Sequence, residues 1–193
     1  MKTIIIFLFA FVLQGTKNMP QNFAHYEMAL CSADFFAGLV YTEVGSEIER
    51  VIERIGYRKV QYVLYEGVSN RGKFLPEHKR KHDFETFFIY LRIPVDKTNK
   101  EWPPEMMEIY NIMKNVKRQN VKIGALDVVQ TSYYLQGLDP AGELSTTYFC
   151  DYGFKMDNVF VQIAISSKKN NLAQFDSDMQ KVIQSFKLKK NSF

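Results

Sequence analysis

Ten apolar residues in a row near the start of the chain, residues 4–13, limit what the remainder can fold into. Lys2 precedes them, and Gln14-Gly15-Thr16-Lys17-Asn18 turns abruptly polar after them. A charged start, an apolar centre and a polar exit form the pattern of a secretory signal peptide. A membrane-spanning helix needs about 20 apolar residues, and this run stops well short. Gly15 is small enough to precede a cleavage site, so residues 1–15 are expected to be a signal peptide and residues 16–193 a single domain. Leu13 is larger than the cleavage pattern prefers, which leaves an uncleaved anchor as the alternative. The leader places the product outside the cytosol, secreted or periplasmic, with no transmembrane segment in the mature chain. It also removes these positions from the core.

The remaining chain has the content of a folded protein. The sequence is 46% hydrophobic and 24% charged, with 16 Phe and 11 Tyr, which excludes a disordered chain. A net charge of +4 is too small to imply nucleic acid. The two cysteines, Cys31 and Cys150, admit two readings. In an oxidising compartment an even count invites one disulfide, which would close a loop of over a hundred residues and stabilise by roughly 4–5 kcal/mol. The alternative is a pair of buried thiols acting as small hydrophobes.

Helix signals open the readable part. Ser46 with Glu49 makes a capping box, Ile48, Val51, Ile52 and Ile55 make one apolar face, and Gly56 can close the helix. Residues 60–65 read as a strand, as do residues 84–93 before Pro94. After Trp102, Pro103-Pro104 open a second predicted helix lined by Met106, Tyr110, Met113 and Val116, with Lys114, Lys117 and Arg118 near its end. Three strands come next, at 123–135, 144–154 and 159–166, the last two joined by a tight turn at Lys155-Met156-Asp157-Asn158. The chain closes with an amphipathic helix over 171–187, whose stripe is Leu172, Phe175, Met179, Val182, Ile183 and Phe186. This order predicts an α+β fold, a mainly antiparallel sheet packed by amphipathic helices.

The layout of residues 102–186 resembles the PsbP/Mog1-like fold group: a central helix, a three-strand meander and a closing helix with a Ser-Phe-basic tail. Here the tail is Gln184-Ser185-Phe186-Lys187, after the strand Phe160-Val161-Gln162-Ile163-Ala164-Ile165-Ser166. The resemblance implies an α/β/α sandwich and a non-enzymatic accessory or binding role, and it carries over no catalytic residues. Cystatin-like and NTF2-like folds are the alternatives.

Chemistry is thinly signalled. No G-x-S-x-G, no H-E-x-x-H and no glycine-rich phosphate loop occurs. The basic segment around Lys73, Lys79, Arg80 and Lys81 suits an acidic protein or an anionic envelope component. His78 and His82 have the spacing of a metal pair on a helix, but three cations between them disfavour a divalent ion, and no cofactor is expected. Cys31 with His25 could be proposed as a thiol–imidazole pair, but nothing else in the sequence supports it, and a structural cysteine is the preferred reading. Asp139, Glu143 and Asp151 lie near the meander and receive no role. The expected function is binding, through the basic segment and a sheet face free of helices that bears Tyr133, Tyr148 and Tyr152. A small extracytoplasmic hydrolase is the alternative.

Overall fold

The aromatic and β-branched runs of the sequence become strands, and so do two stretches that read as helix. The structure, a computed structural model, describes residues 23–52, 55–66, 84, 86–98, 112–139 and 141–189, with 45–52 and 55 described by backbone alone. In chain order the strands are β1 (Phe23–Glu27), β2 (Cys31–Phe36), β3 (Leu39–Ile52), β4 (Ile55–Glu66) and β5 (Thr86–Pro94). They continue with β6 (Lys114–Ile123), β7 (Leu126–Leu138), β8 (Leu144–Met156) and β9 (Val159–Ser167). A 3-10 turn (Leu172–Phe175) runs into helix α1 (Asp176–Ser185), and the two-residue strand β10 (Lys187–Leu188) ends the described chain.

Seven strands form one antiparallel sheet in the order β3-β4-β5-β9-β8-β7-β6, and β1-β2-β10 form a small second sheet. Because side chains alternate across a strand, the register sorts residues onto two faces. One row on the inner face runs Tyr62, Ile89, Ile163, Tyr152, Gln130, Gln119, each opposite the next across six strands. From Tyr62 to Tyr152 these side chains are almost fully buried, whereas Gln119 is exposed. The small sheet and α1 lie against the apolar part of this face. Phe36 of β2 sits 5.1 Å from Phe84, 5.6 Å from Phe87 and 6.0 Å from Phe175 between ring centres, within the range for favourable aromatic pairs. Tyr62 brings a phenol into this core, and it is satisfied by accepting the Leu30 N–H at 3.1 Å. Ser185 at the end of α1 accepts the Asp34 N–H at 2.9 Å, and the Lys189 ammonium donates to the Met28 carbonyl at 2.6 Å.

This architecture corrects the expected α+β sandwich. The described residues are mostly antiparallel strand, with one short helix, so they do not form a sheet packed by amphipathic helices. Residues 46–56, predicted as a helix, pair instead as the hairpin of β3 and β4, with Ser46 opposite Val60 and Glu49 opposite Tyr57. The ladder shifts between Val44 and Ser46 and again between Arg50 and Ile52. Each bulge inserts one residue into a two-residue period, and the resulting three-residue steps imitate helical spacing. The β-branched residues Val51 and Ile52 favour the strand besides. Lys114, Lys117 and Arg118, read as the cationic end of the second helix, lie on β6 at the sheet edge. Val116 lies on the same strand and Met113 just before it, whereas residues 102–111 of that predicted helix, with Trp102, Pro103 and Pro104, lie outside the described residues. So does the signal peptide of residues 1–15.

Other elements match the sequence closely. The strands expected at 60–65, 84–93, 144–154 and 159–166 fall within β4, β5, β8 and β9, apart from one or two residues before β5. The tight turn is present, with Met156 opposite Val159 and Asp157 at φ 51°, a left-handed conformation that aspartate tolerates. The strand expected at 123–135 falls within β7 from Leu126 onward; Ile123 ends β6, and Gly124 at φ 61° turns the chain between the two. The apolar stripe of the last helix is buried throughout. Among the described residues no helix is long and apolar enough to cross a membrane.

The aromatic cluster gives the first prediction. Phe87→Ala removes a fully buried ring in contact with Phe35, Phe36 and Phe84, and should cost about 3–5 kcal/mol in urea unfolding. Phe88→Ala, on the opposite face and half-buried, should cost clearly less; equal losses would contradict the assignment of faces.

Candidate functional site

Beyond Tyr152 the inner face becomes polar, and there the cover from α1 is incomplete. A cleft of about 430 Å³ opens between the 3-10 turn, the start of α1 and strands β6 to β8. Lys117 and Gln119 reach it from β6, Gln130, Ser132 and Tyr134 from β7, and Tyr148 and Cys150 from β8, with Leu172 and Asp176 forming the opposite wall. Register brings these groups together: Ser132 stands opposite Lys117 and Cys150, and Tyr134 opposite Tyr148.

A chain of hydrogen bonds fixes the floor. The Gln119 amide donates to Gln130 Oε1 at 2.7 Å, and Gln130 Nε2 donates to Asp176 Oδ1 at 3.1 Å. The Tyr152 hydroxyl donates to the same Asp176 oxygen at 2.7 Å. Asp176 lies in the first turn of α1, where a carboxylate is favoured by the helix dipole. The Gln130 amide also approaches the Cys150 sulfur at 3.4 Å. Burial pushes the Cys150 thiol up from its ordinary value, and the neighbouring Tyr152 hydroxyl and Gln130 amide offset this only in part. Burial, with Cys150 and Asp176 beside it, raises the Tyr152 phenol too. Both groups therefore stay protonated at neutral pH.

A second polar network occupies the outer face, one residue along β8. Asp151, 7% exposed, accepts from Gln162 Nε2 at 2.8 Å and from the Tyr133 hydroxyl at 3.2 Å, both on Oδ2. Arg92 Nη1 donates to Gln162 Oε1 at 3.2 Å, and its guanidinium lies 5.6 Å from the centre of the Tyr90 ring. Asp151 Oδ1 is buried and has no hydrogen-bond partner among the described residues. Burial dominates its titration and raises it to about 7, against the opposing pull of Gln162, Tyr133 and Arg92.

The three tyrosines expected to share an exposed sheet face do not. Tyr133 lies opposite Phe149 on the outer face, with the two rings stacked at 5.2 Å. Tyr148 and Tyr152 lie on the inner face, and Tyr152 is 2% exposed beneath α1. The reason is pairing: odd-numbered residues of β7 meet odd-numbered residues of β8, so Tyr133 keeps company with Phe149 and Asp151. The parity of β8 alone, which groups Tyr148 and Tyr152 with Cys150 and Phe154, marked an inward face. Lys73, Lys79, Arg80 and Lys81 lie outside the described residues, as do His78 and His82. Among the described residues no group of three or more His, Cys, Asp or Glu gathers to hold a metal ion.

Both cysteines are buried free thiols in the structure. Burial pushes the Cys31 thiol up to about 12. His25 does not serve it, because its Nδ1 bonds Asp34 at 2.7 Å and its Nε2 bonds Glu27 at 2.9 Å. Those carboxylates, Asp34 foremost, hold the imidazole above its ordinary 6.5. Asp139, Glu143 and Asp151 separate likewise. Asp139 accepts the Glu143 N–H at 2.9 Å in the β7–β8 loop, whereas Asp151 is buried mid-strand. Sequence reasoning missed Gln119, Gln130 and Asp176, because single amides on strands and an acid at a helix start look ordinary until register sets them side by side.

Comparison with family models, with curated proteins and with solved structures finds no match to this chain. The cleft and the two networks therefore carry the functional reading.

Two outcomes are expected. The folded-state value of Asp151, about 7, lies above its ordinary 3.8. The folded chain therefore binds the extra proton, and this contribution to stability is fully present below pH about 4 and lost as pH rises through 7. Measured by urea unfolding, Asp151→Asn should gain on the unmodified protein between pH 4 and 8 by up to about 4 kcal/mol; a constant difference would show that Asp151 titrates normally. Unreduced native protein should leave a thiol reagent unconsumed over minutes, and the unfolded chain should take up two equivalents, one for each of its 2 cysteines. No uptake after unfolding would reveal a Cys31–Cys150 disulfide.

Proposed function

We propose that this chain is a non-enzymatic binding protein that holds a small polar ligand in the cleft between the meander and α1. The observation that carries the reading is the state of the polar groups there. Cys150 and Tyr152 are kept protonated, and Asp176 already accepts from both Gln130 and Tyr152. A nucleophile needs a base that relieves it of its proton, as a thiol or hydroxyl is weak otherwise. Among the described residues the one histidine, His25, is engaged by two carboxylates on β1 and β2. Amide and phenol groups fixed by such a chain instead suit recognition, since oriented donors and acceptors in a preformed cleft fix a ligand's position.

Work outside the cytosol belongs to the same proposal and is supported by the leader-like residues 4–13. The basic segment of Lys73, Lys79, Arg80 and Lys81 lies outside the described residues and carries no part of it.

The test pairs binding with turnover. Purified protein should hydrolyse none of a panel of activated esters, phosphate esters and glycosides. In a small-molecule screen read by amide NMR, the ligands that bind should shift Gln119, Ser132, Tyr148 and Asp176. Turnover abolished by Cys150→Ser or Asp176→Asn would establish the hydrolase instead.

A further inference from the structure

We infer that the cleft's ligand is an uncharged, hydroxyl-rich ring, a neutral saccharide unit. The inference rests on the binding role proposed above and names the ligand's chemistry.

Charge gives the first argument. Lys117 on β6 and Asp176 on α1 line opposite sides of the cleft. Among the described residues the site thus holds one cation and one carboxylate, and Oδ1 of the carboxylate is already engaged by two protein donors. Neither an anion nor a cation finds the concentrated opposite charge that such ligands require.

The second argument is the kind of hydrogen bonding left over. Gln119 donates one amide hydrogen to Gln130, so its second N–H and its carbonyl oxygen stay available, and the residue is exposed. The hydroxyls of Ser132, Tyr134 and Tyr148 line the same cleft and have no hydrogen-bond partner among the described residues. Each can both donate and accept. A ligand whose own groups do the same, a polyol, meets these sites without leaving one unmatched, and a mismatched group there would lose binding energy.

Shape supplies the third. The rings of Tyr134 and Tyr148 lie 5.8 Å apart at 54°, side by side from neighbouring strands. They form an angled aromatic wall above the row of amides. A sugar ring has an apolar face of C–H groups and a rim of hydroxyls, so one side can pack on the tyrosines while the rim reaches Gln119 and Ser132. A cleft of about 430 Å³ accommodates one or two such rings.

The experiment uses the full chain. Neutral oligosaccharides built from glucose, galactose, mannose, xylose or N-acetylglucosamine are titrated by calorimetry and amide NMR, alongside polygalacturonate, a sulfated glycan, and acidic and basic peptides. At least one neutral oligosaccharide is expected to bind, with an affinity that does not change between low and high salt and with shifts at Gln119, Ser132 and Tyr148. Tyr148→Ala should weaken it about tenfold. Gln119→Ala, a change at an exposed residue outside the apolar core, should weaken it several-fold and give a second reading if the tyrosine variant loses stability. Preferred binding of a charged glycan or a peptide at these residues overturns the saccharide assignment and leaves the cleft as the binding site. Ligands that bind but shift residues elsewhere overturn both.

Discussion

On the inner face Tyr62, Ile89, Ile163, Tyr152, Gln130 and Gln119 stand opposite one another across six strands, and the row passes from apolar to polar along its length. The rest of the molecule is arranged around that gradient. The apolar end must be covered, and β2 and α1 supply Phe35, Phe36, Val182 and Ile183 for the purpose, all nearly fully buried. The polar end cannot be sealed without stranding amide groups, since a buried polar atom without a partner costs about 1–3 kcal/mol. It is left open instead, and its hydrogen bonds are closed among Gln119, Gln130 and Asp176. A one-residue slip of β7 against β8 would turn Gln130 outward and bring Thr131 or Val129 inward, which would erase the cleft.

Strand β8 serves two environments from adjacent residues. Cys150 and Tyr152 point into the inner network, and Asp151 between them joins Tyr133, Gln162 and Arg92 outside. The donors around Asp151 offset only part of the cost of withdrawing a carboxyl this far from water. Its position between two groups of the inner network ties the two faces together through three residues of backbone.

Much of the sheet was legible because its strands are rich in β-branched and aromatic residues and end at Pro94 or at the Asp157-Asn158 turn. The last helix was legible because its apolar stripe has one period throughout. The β3–β4 hairpin was not, since two bulges broke the period that identifies a strand and left Ser46 and Glu49 looking like a cap. Basic residues on β6 misled in a different way: cations suit both a helix end and an exposed sheet edge. The cleft was illegible for a deeper reason. Gln119, Gln130, Tyr152 and Asp176 span 57 positions of sequence from first to last, taken as 176 − 119, and only register brings them within hydrogen-bond reach.

The small sheet joins the two ends of the described chain: β2 pairs on one side with β1 and on the other with β10, Cys31 opposite Leu188. Its aromatic residues Phe35 and Phe36 pack against Phe87 and Phe175, which come far later in the sequence. A ribosome makes β2 well before α1 and β10. Until α1 is made, Phe36 lacks its contact with Phe175. Closure of this core therefore depends on contacts of long sequence separation, and the early segment must be kept from aggregating until they form.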